Sequence, residues 1–430
     1  MGRGVCVDAC VGKAAVGEED RGPQRSLCDV WGGLAVGMFT DSYRPRLSGV
    51  VHSVASVARA LREQGHRVVV FAPRHPDYQD QEADVVRLPA LSNRRHPDFP
   101  LLLPVVRGLD RLVNELGLQV VHTHSPFTAG RLAEASRGPR PLVFTHHTLY
   151  EEYVHYAPLV PRSWARRWVR GRVVRFCNRC DLVVAPTGAV RDLLRSRGVR
   201  SRVEVVPTAA LDLEAVDRVP AADPGSAGVP DGAPLVVCAG RMAPEKSMDT
   251  VLQAFAATPA LREAYLVMVG GGPSLERLRR LAEDLDVASR VRFTGPLPWQ
   301  QVVGWMKAAH VFVFASRTET QGLVVVEAMA CGLPVVAVRA GGVAEVVEHG
   351  RTGCWWTRTR SSWEPPRRGC WPMGTCGDPW GSRRGGGRRG FPHLAWPRSW
   401  WSCTGPSWRD GEADGTRATR THRTRRKPCT

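Results

Sequence analysis

Glu319 and Glu327 bracket the stretch of sequence best suited to chemistry, Glu-Thr-Gln-Gly-Leu-Val-Val-Val-Glu. In one continuous helix the two carboxylates would stand ~80° apart and ~12 Å along the axis, too far to share a site. The other arrangement is a loop carrying Glu319, with Gly322 opening a helix that carries Glu327. Free N–H groups at that helix start would face an anionic or hydroxyl-rich ligand. Spacing alone equally allows two solvated glutamates flanking a helix. A second cluster, Gly240-Arg241-Met-Ala-Pro-Glu-Lys246, follows an apolar run. Gly240 permits a sharp turn, and Arg241 and Lys246 suit the neutralisation of a diphosphate, the arginine by bidentate contact. A solvated basic loop is the rival reading.

The Walker A pattern is absent and no Gly-x-Gly-x-x-Gly follows a strand, which argues against NAD and FAD. Gly270, Gly271 and Gly272 end another apolar run and permit close backbone approach to a ligand. In the first half of the chain His122 and His124 end one such run, and His146 and His147 another. Imidazoles at strand ends suit hydrogen bonding or proton handling near neutral pH, and one of the four is expected to act. Their spacing defines no metal geometry. Cys177 and Cys180 form a lone Cys-x-x-Cys without the second pair a structural zinc site needs, so no metal is expected. Residues 162–175 hold Trp164 and Trp168 among six arginines, Arg166 and Arg167 included. As a helix this segment is basic and amphipathic, the kind that lies on anionic membrane surfaces. The alternative is an ordinary helix with its Trp and Val side on the core.

The elements that must position these residues alternate in type. Residues 34–40 read as a strand, the Val51, Val54, Ala58, Leu61 spacing as a helix closed by Gly65, and residues 67–72 as the next strand. That order is the βαβ unit of a parallel sheet. Further strands are expected at 120–121, 142–145 and 182–186. A segment rich in Ala, Pro, Gly and Asp at 217–233 reads as a linker. The alternation then restarts, with strands at 235–239, 265–270, 291–294, 311–315 and 334–338 and helices at 275–285 and 301–308. Two such halves imply a cleft at the carboxyl ends of their strands. The expected organisation is an extension over 1–33, a first domain over 34–212, a linker over 213–233, a second domain over 234–353 and a tail over 354–430.

The charge is uneven along the chain. The whole sequence carries 59 Lys+Arg against 41 Asp+Glu, a net +18, but residues 354–430 hold 16 of the basic and 5 of the acidic residues. The remainder is only mildly basic, so the total implies no specific nucleic-acid partner. The tail also holds 9 of the 14 tryptophans and shows neither helical nor strand period. It is expected to be disordered and out of frame with the body, since Arg, Gly, Pro, Trp and Cys are what a GC-rich gene yields when frame-shifted; a basic binding arm is the alternative. The four body cysteines fit a reducing cytoplasm. Residues 1–33 lack the apolar stretch of a signal peptide, and Cys6 stands where myristoylation needs Ser or Thr.

From about residue 34 to 353 these motifs, in this order, resemble the family 4 retaining glycosyltransferases of GT-B fold. The resemblance implies two Rossmann-like domains facing a cleft and a metal-independent site without a covalent nucleophile. It implies that Glu319 and the backbone of Gln321, Gly322 and Leu323 hold the donor-sugar hydroxyls, and that Glu327 bonds the nucleotide ribose. Arg241 and Lys246 would neutralise the leaving diphosphate, Gly49 would approach the same phosphates, and His147 would contact the sugar near its reactive carbon. Within the family, the runs FTDSYRPRLSGVV, HTHSPF, THHTLYEEYVHY and TETQGL look most like diacylglycerol glucosyltransferases. That implies UDP-glucose as co-substrate and a lipid acceptor, reached through Tyr150, Tyr153, Trp164, Arg166, Arg167 and Trp168 on the inner face of the cell membrane. Phosphatidylinositol, polyprenyl or soluble acceptors are the alternatives. Ala209 and Phe144 depart from the usual Gly and His, and nothing after residue 353 reads as the helices that close the donor domain. Should that tail be genuine and not frame-shifted, an inactive or binding-only product is the alternative to an active transferase.

Overall fold

The computed structural model describes residues 33–46, 48–75, 78–82, 84–91, 100–156, 160–207, 211–349 and 351–356. All of them fall within one compact unit. The first half runs β1 (Ala35–Phe39), α1 (Gly49–Glu63), β2 (Arg67–Pro73), β3 (Val85–Leu88), then the short pair β4 (Ala90–Leu91) and β5 (Leu101–Leu102). It continues with α2 (Leu109–Glu115), β6 (Val120–Thr123), α3 (Thr128–Ser136), β7 (Leu142–Thr145), α4 (Arg162–Cys177), β8 (Leu182–Ala185), α5 (Gly188–Ser196) and β9 (Arg202–Val205). The connector carries α6 (Leu213–Arg218). The second half runs β10 (Leu235–Ala239), α7 (Met248–Ala257), β11 (Tyr265–Val269), α8 (Leu275–Asp284), β12 (Val291–Gly295) and α9 (Trp299–Ala308). β13 (Val311–Phe314), α10 (Leu323–Ala330), β14 (Val335–Val338), α11 (Val343–Val346) and β15 (Gly353–Trp356) complete it.

Each half is a parallel sheet, in the order β3-β2-β1-β6-β7-β8-β9 and β12-β11-β10-β13-β14-β15. The strands are near-continuous apolar runs because helices cover both faces. In β1 and β2 successive residues divide between two cores. Val36, Met38, Val68 and Val70 meet Val51, Val54 and Ala58 of α1, whereas Phe39, Val69 and Phe71 meet the side that receives Val113, Leu132, Phe176 and Leu194. The Ser48 hydroxyl accepts the Val51 N–H to start α1, and Gly65, at φ 84°, lets the chain leave it.

The expected elements are present, and five strands, β15 among them, were not anticipated. β3, β4, β5 and β9 are short or lie at edges, too brief for a period to register. The connector is more than a tether: α6 begins where the Asp212 carboxylate accepts the Ala215 N–H, and Lys307 donates to the Asp217 and Val219 carbonyls. The expected break at residue 354 is corrected. Cys354, Trp355 and Trp356 continue β15, paired in parallel with Val336, Ala337 and Val338. Aromatic residues suit a strand at a sheet edge, and four residues cannot announce themselves by period. The rest of the tail, 357–430, the extension through residue 32, and Ala209 lie outside the described residues. Phe144 is a core residue, edge-on to Phe176 at 5.3 Å.

Two of the glycines make contrasting predictions. A Cβ at Gly270 would stand 2.0 Å from the Gly240 carbonyl oxygen at φ 131°, whereas one at Gly65 meets nothing within 4 Å. Gly65→Ala should cost about 1 kcal/mol through its positive φ alone, and Gly270→Ala about 3 kcal/mol or more. Urea unfolding of the two variants followed by far-UV dichroism checks this; equal midpoints would refute the close packing of the two loops.

Candidate active site at the paired switch points

In both sheets the strand order reverses between the first and fourth strands, at β1/β6 and at β10/β13. Crevices outside the carboxyl ends of such strands are where open α/β sheets bind ligands. Asp41 and His124 follow β1 and β6; the 240–246 loop and the 316–321 loop follow β10 and β13. The expected site residues therefore lie where the topology leaves crevices.

The second half builds its part from backbone outward. Gly240, at φ 143°, leads into a 3₁₀ turn at Pro244–Lys246. The Glu245 carbonyl accepts the Ser316 hydroxyl at 3.4 Å and the Thr318 hydroxyl at 3.1 Å, so this turn is tied to the 316–321 loop. The tie presents Lys246 Nζ to Glu319 Oε1 at 2.6 Å, with only 19% and 15% of the side chains exposed. Burial pulls the Lys246 ammonium down, but Glu319, Tyr153 and Glu245 more than offset it, and its pKa lies above the ordinary value. The lysine stays charged. Gly270 and Gly272 let the β11 loop pack on the Gly240 and Met242 carbonyls.

Gly322, at φ 81°, precedes α10, and Glu327 lies one and a half turns inside it, as the loop-then-helix arrangement requires. The Trp299 indole N–H donates to Glu327 Oε1 at 3.2 Å. Burial raises the Glu327 carboxyl to about 7, against a smaller lowering by that bond. Gln321 is buried, and a Cβ on Gly49 would stand 3.6 Å from Leu323 Cδ1, so the start of α1 meets the start of α10.

Two histidines of the first half meet directly, His124 Nδ1 and His147 Nε2, at 2.8 Å. His122 Nε2 lies 2.7 Å from the Thr145 hydroxyl. Burial lowers His147 to about 3 and both His122 and His146 to about 4, and it holds His124 well below its ordinary value. The expectation of proton handling near neutral pH is corrected: these imidazoles are neutral hydrogen-bonding groups there. His146 points inward, edge-on to Phe144 and Tyr150, with no hydrogen-bond partner among the described residues.

Three residues that sequence reasoning did not single out join the halves. The Thr320 hydroxyl donates to the His147 carbonyl at 2.7 Å, and the Thr187 hydroxyl donates to the Thr320 carbonyl at 2.9 Å. The Glu345 carboxylate accepts the N–H groups of Gly188, at 2.8 Å, and Ala189 at the start of α5. Single threonines and a glutamate carry no local pattern that would have revealed these contacts, and Trp299 carries none either.

The expected acceptor residues divide. Tyr150 is half-buried, with its ring edge-on to Phe127, at 5.0 Å, and to His146. Tyr153 lies close enough to Lys246, Glu319, Glu245 and Arg241 for their charges to act on its phenol, which burial raises. It therefore belongs with the cleft. In α4 the buried stripe is Ala165, Val173, Phe176 and Cys177, while Trp164 and Trp168 are 61% and 50% exposed. The tryptophans do not face the core. Arg167 is exposed beside them, and Arg166 pairs with Glu152 at 2.9 Å. Among the described residues no helix is long and apolar enough to cross a membrane.

Residues 221–363 match the family model for Glycosyl transferases group 1, and residues 47–210 that for Glycosyltransferase Family 4. The chain is 32% identical over 324 residues, 71% of each chain, to an alpha-monoglucosyldiacylglycerol synthase of Streptococcus pneumoniae. It is 31% identical to a GDP-mannose-dependent alpha-(1-6)-phosphatidylinositol monomannoside mannosyltransferase of Mycolicibacterium smegmatis, covering 74% of this chain and 83% of that one. Its fold is similar to that of Anabaena HepE in complex with UDP and glucose, with TM-score 0.59 and 21% identity over 75% of this chain and 86% of that one.

The raised Glu327 carboxyl has a measurable sign. Between its ordinary value of 4.5 and about 7 the folded protein keeps a proton that the unfolded chain has released. The stability due to this group therefore falls as pH rises through that window. Glu327→Gln cannot ionise, so its melting temperature should gain on the parent's by several degrees between about pH 5 and about pH 8. A difference that does not change with pH would mean the carboxyl is ionised throughout.

Proposed function

Because the chain belongs to glycosyltransferase family 4, we propose that it is a retaining hexosyltransferase moving glucose from UDP-glucose to diacylglycerol at an anionic membrane surface. The observation that carries this reading is the Lys246–Glu319 pair held at the opening of α10, opposite His147. An ammonium whose pKa is held above its ordinary value and a glycine-opened helix start suit a diphosphate and a hydroxyl-rich sugar in one place. Lys246 and Arg241 take the charge that develops on the departing diphosphate, the main electrostatic demand of the transition state. Glu319 and the backbone of Gln321, Gly322 and Leu323 hold the sugar hydroxyls, Glu327 the ribose, and Gly49 lets the start of α1 approach the phosphates. His147, neutral and held by His124, contacts the sugar beside its reactive carbon. The bond from that carbon to the phosphate oxygen breaks, the acceptor oxygen bonds to the same face, and the acceptor proton passes to the departing phosphate. No metal enters this scheme.

Glucose, UDP and a lipid acceptor are supported by the names of the synthase and HepE relatives; the mannosyltransferase supports GDP-mannose and phosphatidylinositol as a second reading. The membrane is supported by α4, which has no acidic residue in its first turn and whose first two turns expose Arg162, Arg166 and Arg167 to solvent. A cation in the first turn, as Arg162 is, opposes the helix dipole by about 0.3–1 kcal/mol, whereas an anionic lipid surface returns about 1 kcal/mol per basic residue. Trp164 and Trp168 beside them suit the interfacial zone. Attachment is then peripheral, on the inner face of the cell membrane.

Lys246→Ala should lower kcat/KM for UDP-glucose about 100- to 1,000-fold, and EDTA should leave turnover unchanged. A glucosylation assay with dioleoylglycerol in anionic vesicles tests both, and an enzyme preferring GDP-mannose there would favour the second reading. Trp164→Ala with Trp168→Ala should abolish pelleting with the same vesicles. Undiminished pelleting would remove α4 from the membrane contact.

A further inference from the structure

A hydrogen bond joins α9 to α10 away from the buried faces of both helices. Trp299 opens α9, and its indole N–H reaches Glu327 Oε1, in the second turn of α10, across 28 residues of chain at 3.2 Å. The helix itself is anchored further along, by the buried Val303, Trp305 and Met306. Trp299 stands outside that buried set and is only half-buried. The chain that delivers it is stiff. Gly295, at φ 73°, turns out of β12, and Pro296 and Pro298 fix φ on either side of Leu297. The largest side chain of the set is therefore placed where core packing does not call for it, with its one polar atom on a carboxyl.

The chemistry of this bond suits orientation rather than charge balance. An indole is a donor only, with a single N–H, so it occupies one of the carboxyl's lone pairs and leaves the others to a ligand. An arginine or lysine in its place would form an ion pair and contend with the ligand for both oxygens. No cation pairs with Glu327 among the described residues; burial and the Trp299 bond are what act on it. The other glutamate of the motif is aimed by an ammonium, Lys246 at 2.6 Å, whereas Glu327 is aimed by a neutral group. A glutamate side chain loses rotamer freedom when a ligand fixes it, so a carboxyl already set in place binds that ligand more tightly.

We propose that Trp299 is a positioning residue of the nucleotide site, its indole N–H fixing the Glu327 carboxyl in the orientation that meets the ribose hydroxyls. The inference rests on the assignment of Glu327 to the ribose above and gives that site a residue acting through Glu327.

Calorimetric titration of the full chain with UDP and with 2′,3′-dideoxy-UDP tests it without any acceptor. Trp299→Phe keeps an aromatic ring and loses the N–H. It should raise Kd for UDP about tenfold, the effect of one hydrogen bond, and leave Kd for the dideoxy nucleotide within about twofold. Unchanged binding of the dideoxy nucleotide also shows that the variant is folded. In a Glu327→Ala background the same substitution should alter UDP binding by less than about twofold. An unaltered Kd for UDP in Trp299→Phe, or an equal loss for both nucleotides, overturns the inference and leaves the proposed function standing. A further loss of about tenfold beside Glu327→Ala does the same, because Trp299 would then act independently of the carboxyl. A parent that binds both nucleotides equally overturns the ribose assignment in the proposed function and this inference with it.

Discussion

The grip on the backbone of Glu319 and Thr320 is the contact on which the rest of the site depends. The Glu319 carbonyl accepts the Gly342 N–H at 2.9 Å, and a Cβ on Gly342 would lie 2.0 Å from the Thr320 carbonyl oxygen. On the other side the Thr187 hydroxyl and the His147 carbonyl take the carbonyl and hydroxyl of Thr320. Each hydrogen bond is worth only about 1 kcal/mol net, but together they leave the peptide little freedom. The Glu319 side chain is therefore aimed by two sheets at once, and Lys246 meets a carboxylate that is already in place. The pair is mostly buried, unlike surface pairs such as Arg218–Glu214 at 4.0 Å. Losing one partner of a buried pair costs about 3–5 kcal/mol, against about 0–1 kcal/mol at the surface.

What was legible in the sequence follows from this architecture. A parallel sheet covered on both faces writes each strand as an apolar run, so the centres of β1, β2, β7, β10 and β13 are visible within a residue or two. Gly322 between Glu319 and Glu327 likewise announces a loop turning into a helix. The contacts that join the halves are not written locally. Thr187 meets Thr320 across 133 residues, Glu345 meets Gly188 across 157, and Thr320 meets His147 across 173. No window of residues can hold such pairs, and the amino-acid types involved are common on any surface. Burial was the other missing quantity. It turned histidines that suit proton exchange into neutral groups. The glycines at 270 and 272 are close-approach positions, and the structure shows the neighbouring loop as what they approach.

The first half is where local preference and tertiary use disagree most. In α4 a run of arginines opens a helix that lacks a capping side chain, and two tryptophans face solvent while the small Ala165 faces the core. Folding alone would favour the opposite placement. Where several local choices run against the fold, function is the usual reason. At the carboxyl ends of β1 and β2, by contrast, Arg44 and Arg87 are each matched by a carboxylate, and Arg87 by a carbonyl as well. The two regions differ in the sign and amount of charge they leave available.

The bond between His124 and His147 also has a direction. Both rings are neutral, so only one of the two facing nitrogens carries a hydrogen. If His147 Nε2 carried it, the hydrogen of His124 would sit on Nε2, which is buried without a hydrogen-bond partner among the described residues. An orphaned buried N–H is the rarer and costlier defect, so the hydrogen belongs on His124 Nδ1. His147 then accepts at Nε2 and keeps its own hydrogen on Nδ1. A residue one strand away thus fixes the tautomer of His147, so its ring offers a donor and not a lone pair.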